Sequence, residues 1–225
     1  MAIDFELTRR RMKSIRIRVV PPGRVLVSAP LHLPQRSINH TVAQHAAWIA
    51  QQQAVFLADP ARYREPDYIT GEQHPLWGRL YNLDVIEQAG KARVIKTDES
   101  SLTLFTKTGS GRAQRKTLLS AFYRQQIKQQ IQQLLPPWQA RLGVQVNDWG
   151  VKQMKTRWGS CNTAAGRVWL NLELAKYPVA CLESVLVHEL VHLLERSHNH
   201  RFKAYMDQFL PDWREREARL RQSPA

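Results

Sequence analysis

Two cysteines in 225 residues, Cys161 and Cys181, are too few for a disulfide scaffold and too far apart for a Cys-x-x-Cys redox or metal pair. A reducing compartment is the expectation. No stretch approaches the roughly 18 apolar residues that cross a bilayer. The opening residues, MAIDFELTRRRMKSIRIRVV, set an acid and a basic cluster where a secretory signal needs an unbroken apolar run. The sequence therefore reads as cytoplasmic and unanchored. Acidic residues are scarce too: 19 Asp and Glu stand against 33 Lys and Arg, a net charge of +14. That imbalance attracts anionic partners such as nucleic acid, nucleotides or a membrane surface, but fixes neither fold nor chemistry. No Walker A loop, Cys-rich finger, internal repeat or coiled-coil heptad is present. Hydrophobic residues are not in short supply: at 43%, with seven Trp, six Tyr and six Phe, they exclude disorder as the main description.

The pattern along the chain predicts an α+β protein with an antiparallel β-rich N-terminal region. Ile15, Ile17 and Val19 alternate with Arg16 and Arg18, and Pro21-Pro22-Gly23 turns the chain into VLVSAP, a hairpin with one apolar and one basic face. Helical spacing of Ile38, Val42, Ile49 and Phe56 predicts one surface helix from about Gln35 to Leu57, ended by Asp59-Pro60. LWGRLYNLDVIEQ, ARVIKTDES and LTLFTK then read as a β-meander. The loop TGSGR at 108–112 is the expected boundary between a region 1–111 and a domain 112–225, which can form one compact unit. A long helix follows over 114–135 and should stop at Pro136-Pro137. Extended stretches are expected at 143–149, 152–161 and 167–174, with a hairpin loop at 162–166. From Pro178, a helix of about four turns, apolar on most faces, should be largely buried.

That helix contains His188, Glu189 and His192 as H-E-x-x-H. Residues four apart share a helix face, so the two imidazoles can hold one metal ion, and Glu189 on the adjoining face can serve a metal-activated water as general base. In so apolar a helix, unpaired imidazoles and a carboxylate would carry an uncompensated desolvation cost. The next segment offers two candidates for a third ligand. His198 is preferred; His200 is the alternative, as ligand or as a group supporting one, and Glu195 is a weaker oxygen donor. Three protein ligands leave a position for water, the mark of catalytic rather than structural zinc.

The chain resembles the YgjP-like metallopeptidase family, whose site pattern relates it to minimal zincins and SprT-like proteases. The resemblance rests on MKTRWGSC at 154–161, RVWLNLEL with Asn171 and Leu174, a Pro soon after, HELVHL at 188–193, His198 with Phe202 four residues on, and Pro211 followed by Trp213. It implies a zincin-like helix–sheet core and one catalytic Zn2+ on His188, His192 and His198, with Glu189 as base; the Phe202 register favours His198 over His200. Family members commonly carry Asn before the third His and Trp after the Phe, where this chain has Ser197 and Lys203. The metzincin pattern wants Gly where Glu195 stands.

Lys155, Arg157, Trp158 and Gly159 are the substrate-binding candidates. Arg157 can grip a carboxylate or phosphate through two parallel hydrogen bonds, Trp158 can pack or stack, and Gly159 lets backbone approach a ligand closely. The leading function is a zinc-dependent metallohydrolase acting on peptides. One alternative, implied by proteins that this chain resembles, keeps the metal and hydrolyses nucleoside triphosphates such as UTP to release pyrophosphate. Another is a non-enzymatic, basic nucleic-acid-binding protein with structural zinc, in which Arg9, Arg10, Arg11, Lys13, Arg16 and Arg18 supply nonspecific backbone contacts.

Overall fold

Alternation in the first thirty residues does build a sheet, in a computed structural model that describes residues 3–58, 65–222 and 224. Strands β2 (Arg16–Val20) and β3 (Arg24–Pro30) pair antiparallel across a turn in which Gly23 takes φ +121° and its N–H donates to the Val20 carbonyl at 2.8 Å. Strand β1 (Glu6–Arg10) joins the other edge of β3 and runs parallel to it. The region is therefore mixed rather than antiparallel throughout. Val25, Val27 and Ala29 close a small core with Ile38, Val42 and Ile49. The single expected helix is two, α1 (Gln35–Gln44) and α2 (Ala46–Ala58). At His45 the ring Nδ1 lies 2.8 Å from the Thr41 carbonyl, while the His45 backbone N–H donates to Val42 instead, which breaks the i to i−4 ladder. The Asp59-Pro60 stop lies outside the described residues.

Contacts divide the chain into two units, 1–66 and 67–225, so the boundary falls well before the expected 111/112. The reason is burial. Leu83, Leu102 and Leu104 of the second sheet share one core with Leu119, Phe122, Ile127 and Ile131 of the following helix, so the Gly/Ser loop is only a turn inside that unit. Strands β4 (Gln73–Leu76), β5 (Arg79–Glu87), β6 (Arg93–Lys96) and β7 (Ser101–Thr106) stand in the order β4-β5-β7-β6. A meander would pair β5 with β6; here β5 pairs with β7 in parallel.

Helix α3 (Arg112–Leu142) runs straight through Pro136 and Pro137. Both prolines are exposed, as are Gln132 and Gln133, whose carbonyls lose their helical donors, so water can take those places. Trp138 and Leu142 beyond them are buried and hold the last turns. Trp138 Nε1 donates to Glu183 Oε1 at 2.9 Å, and Arg216 donates to Glu183 Oε2 at 2.6 Å. That carboxylate ties α3 and α6 (Trp213–Leu220) to α4 (Val179–Val191).

Strands β8 (Asp148–Lys152), β9 (Gly159–Asn162) and β10 (Arg167–Asn171) form a third sheet in the order β8-β10-β9. The β9/β10 hairpin closes at Gly166, φ +58°, as the sequence suggested. Residues 143–147 and 153–158, expected to be extended, are outside the strands. Helix α4 packs on α3, α5 (His200–Phe209), α6, β9 and β10. Enclosure on so many sides explains its apolar composition: Cys181, Leu182, Val185, Leu186, Val187, Leu190 and Val191 are all buried. Among the described residues, no helix is long and apolar enough to cross a membrane.

Candidate metal centre

His188 lies in the last turn of α4 and His192 at its C-terminal cap, one helical turn apart. The chain then tightens: Leu193 and Leu194 donate to the carbonyls of Leu190 and Val191, and the Ser197 N–H donates to the Glu195 carboxylate at 3.1 Å. Asn199 caps α5 by accepting the Phe202 N–H at 3.0 Å. This reversal carries His198 back over α4, where its Nε2 stands 2.9 Å from Nε2 of His188. One potential ligand atom from each of His188, His192 and His198 lies within 4.8 Å of the others. The Phe202 ring packs 4.8–4.9 Å from all three imidazole centroids and forms an apolar floor.

The group suits a metal cation on two further counts. His192 Nδ1 is 3.2 Å from the Glu195 carbonyl, the contact that places the ring proton on Nδ1 and turns the Nε2 lone pair toward the other rings. Burial, followed by the neighbouring imidazoles, pushes His188 down to about 4, and burial also lowers His192. Both are then neutral near pH 7, the form in which imidazole binds a metal. His200, exposed on the first turn of α5, is not in the group, and neither is Glu195, which serves through its carbonyl instead.

Glu189 is only 5% exposed, and burial lifts its carboxyl to about 8 against the opposing pull of Arg157. Gly159 of β9 makes room for it. A Cβ at that position would stand 2.5 Å from Glu189 Oε1 and 2.8 Å from Cγ. The sequence reading gave Gly159 to the substrate; the group that approaches its backbone so closely is Glu189. Gly159→Ala must displace this carboxylate, and a misplacement of about 1 Å costs on the order of 10²-fold in rate. The expected result is a kcat loss of that order with metal content unchanged; wild-type kcat in the variant would show that the contact does not position Glu189.

His188, Glu189, His192 and His198 open onto a cleft of about 880 Å3 that Arg157, Trp158 and Gly159 also line. Lys155, the fourth substrate-binding candidate, is exposed and does not line it. Trp158 meets Tyr177 edge to face with centroids 5.1 Å apart, so it packs as well as facing the cleft. Sequence reasoning assigned no role to the residue that holds this segment. Asn171, 4% exposed, donates from Nδ2 to the carbonyls of Met154 (3.1 Å) and Arg157 (2.8 Å) and accepts the Met154 N–H at 3.3 Å. One buried amide thereby fixes a loop that lacks strand pairing. An Asn closing an apolar strand was the available signal. On the opposite wall Trp213 entered only through the resemblance, and Val185, Glu217 and Leu220 had no signal, because α4 and α6 meet only in three dimensions.

A family model described as YgjP-like, metallopeptidase domain, matches residues 13–223. The chain belongs to the YgjP-like metallopeptidase domain family. Its activity is accordingly that of a zinc-dependent metallohydrolase of the metallopeptidase class. Among solved structures, the chain is similar to the metallopeptidase zymogen abylysin of Pyrococcus abyssi, at 21% identity and a TM-score of 0.37, over 40% of this chain and 90% of that one. The metallopeptidase zymogen jannalysin of Methanocaldococcus jannaschii is similar at 21% identity and a TM-score of 0.34, over 42% of this chain and 92% of that one. No curated protein matches the chain.

Proposed function

We propose that this YgjP-like protein hydrolyses peptide bonds at a single zinc ion held by His188, His192 and His198 in a zincin-like helix–sheet core, with Glu189 as general base. The observation that carries the reading is the convergence of three imidazoles beside a buried carboxylate, all opening onto one cleft. Bound zinc would supply Lewis acidity toward the scissile carbonyl and acidify a water. Glu189 accepts the proton of that water and returns it to the departing amine. Its raised pKa belongs to the metal-free protein; a neighbouring dication favours the ionised form that a base requires.

Strand β9 is the edge of its sheet, paired on one side with β10, and Gly159 to Ala164 line the cleft. Its free backbone groups suit an extended peptide, which supports a peptide over a nucleotide substrate. Arg157 offers its guanidinium to a substrate carbonyl or carboxylate, in the orientation set by the Asn171-held loop. His200 and Glu195, standing outside the imidazole group, support an open coordination position over a closed structural site. The cytoplasm, where the free thiols of Cys161 and Cys181 stay reduced, is the compartment we assign.

The test is metal analysis followed by incubation with a mixed peptide library and, separately, with nucleoside triphosphates. One zinc per chain and peptide cleavage abolished by a chelator and restored by zinc are expected, with the triphosphates intact. Triphosphate hydrolysis without peptide cleavage would transfer the site to the nucleotide reading. Failure to take up metal under zinc-replete conditions would overturn both.

A further inference from the structure

The solvent face of the N-terminal sheet contains none of the residues assigned to hydrolysis, and it is cationic by construction. Strand register decides which side chains share it. Thr8, Ser28 and Arg16 form one row, and Glu6, Leu26 and Arg18 the next. Arg10 beside Pro30 and Arg24 beside Val20 complete the face. Leu7, Val27 and Ile17, and Val25 with Val19, turn the other way into the small core. Arg10, Arg16, Arg18 and Arg24 are all exposed.

The four are not equivalent. Arg24 is paired with Glu6 at 3.1 Å, and Glu6 is the one acid of these three strands. Arg9, counted among the basic cluster by sequence, is spent on its own fold: its guanidinium donates to the Leu33 carbonyl at 2.6 Å and to Gln35 at 3.3 Å. The side chains of Arg10, Arg16 and Arg18 make no hydrogen bond or ion pair among the described residues. Exposed Arg11 and Lys13, in the connection from β1 to β2, extend the same charge.

Spacing sharpens the point. Arg16 and Arg18 sit two residues apart on one strand, about 6.6 Å, and β1 and β2 lie two strand spacings apart, about 9.5 Å. Both separations fall within or near the Debye length of about 8–10 Å, so these cations repel one another in ordinary buffer. A polyanion relieves that repulsion along its whole length, which a single small anion cannot do. Duplex nucleic acid carries one charge for each 1.7 Å or so of axis. The side chains at the centre of the face are Thr8, Ser28 and a half-buried Leu26, with no aromatic residue in the three strands. Single-stranded nucleic acid binds through aromatic stacking, and interfacial membrane binding uses Trp, Phe and Leu on an apolar face. Guanidiniums around small hydroxyl side chains fit a phosphate backbone, and contacts to that backbone carry no sequence information.

We propose that this face docks the protein on the sugar–phosphate backbone of duplex nucleic acid without regard to sequence. Arg10, Arg16 and Arg18 make the phosphate contacts, with Arg11 and Lys13 at the margin. This interaction stands apart from the hydrolytic reading and holds whether or not peptides are the substrate.

Fluorescence anisotropy of the full chain with a labelled DNA duplex of about 30 base pairs, from roughly 50 to 200 mM salt, tests it. Three phosphate contacts give a slope of log K against log salt near −2.7. Arg16→Gln/Arg18→Gln should weaken binding at least about tenfold at the low-salt end and flatten the slope by about 1.8. A scrambled duplex should bind the wild type equally well. Far-UV circular dichroism and the thermal unfolding profile of the variant should match the wild type and so exclude misfolding of the altered sheet, and zinc content should match because no residue of the metal centre is changed. Arg201→Gln/Lys203→Gln, which removes the same charge from α5, should bind duplex as the wild type does. Binding unchanged in Arg16→Gln/Arg18→Gln, equal loss in the α5 variant, or tighter binding to phosphatidylglycerol vesicles than to the duplex would each overturn the proposal.

Discussion

Glu189→Gln is expected to lower kcat for peptide hydrolysis by about 10²- to 10⁴-fold, the range that a positioned general base contributes, with bound zinc retained. Three features make this variant the sharpest probe of the centre. Gln keeps the shape of the side chain in the space left by Gly159, so the cleft has no reason to rearrange. It removes no imidazole from the group of three, so the ligand set is intact. It deletes only the capacity to take up a proton. The corresponding loss of transition-state stabilisation, about 3–5 kcal/mol, should appear in kcat and in kcat/KM alike, because the base is used in the transition state and not in binding. Metal analysis beside the kinetics separates the alternatives. Lost zinc would mean that Glu189 supports the metal site itself, and full activity with zinc bound would remove it from the role of base.

The same carboxylate makes the metal-free protein sensitive to pH in a direction opposite to that of a surface acid. Burial raises its pKa from 4.5 to about 8, so between those values the folded chain holds a proton that the unfolded chain has released. Folding then takes up a proton, and stability falls as pH rises through that window, with the full loss reached above about pH 8. At about 1.4 kcal/mol per pKa unit the total is a few kcal/mol, at most about 5. Glu189→Gln lacks this dependence, while the opposing contribution of His188, held down at about 4, is common to both proteins and cancels. Urea unfolding after chelation should therefore give stabilities that agree near pH 4.5 and separate toward pH 8, the variant being the more stable. Added zinc should narrow the gap, since a cation beside the carboxylate favours its charged form. Parallel curves across the whole range would show that Glu189 is solvated in solution.

In the proposed function one residue both limits the apo protein and serves as base, and the sequence announced it plainly. H-E-x-x-H in an apolar helix is a local statement: spacing of four fixes the shared face, and the cost of burying three polar groups argues for a purpose. The third imidazole was less legible. His198 and His200 are separated only by the course of the chain after His192, and the choice depends on Glu195, Ser197 and Asn199 turning that segment back over α4. Gly159 was noticed for its freedom, yet its use became clear only with Glu189 packed against it. Asn171 entered through the resemblance and as a polar side chain at the end of an apolar strand, but its role was not legible, because the carbonyls it binds lie 14 and 17 residues earlier.

Elsewhere, local rules met tertiary burial and lost. Pro136 and Pro137 should end a helix, but buried Trp138 and Leu142 continue it and the freed carbonyls face solvent. The Gly/Ser loop should divide the chain, but Leu102 and Leu104 share a core with α3 on its far side. In the N-terminal sheet, composition gave the positive charge, and strand register determined which arginines face solvent and which, like Arg9, are consumed by the fold.

By itself the sequence determined the pair of histidines, the glutamate between them and the basic character of the chain, since each depends on residues close in sequence or on composition alone. The tertiary structure decided the third imidazole, the position of Glu189 against β9, the loop that carries Arg157 and the wall of the cleft. Those features are contacts between segments distant in the chain, and their energies exist only once the core beneath them has formed.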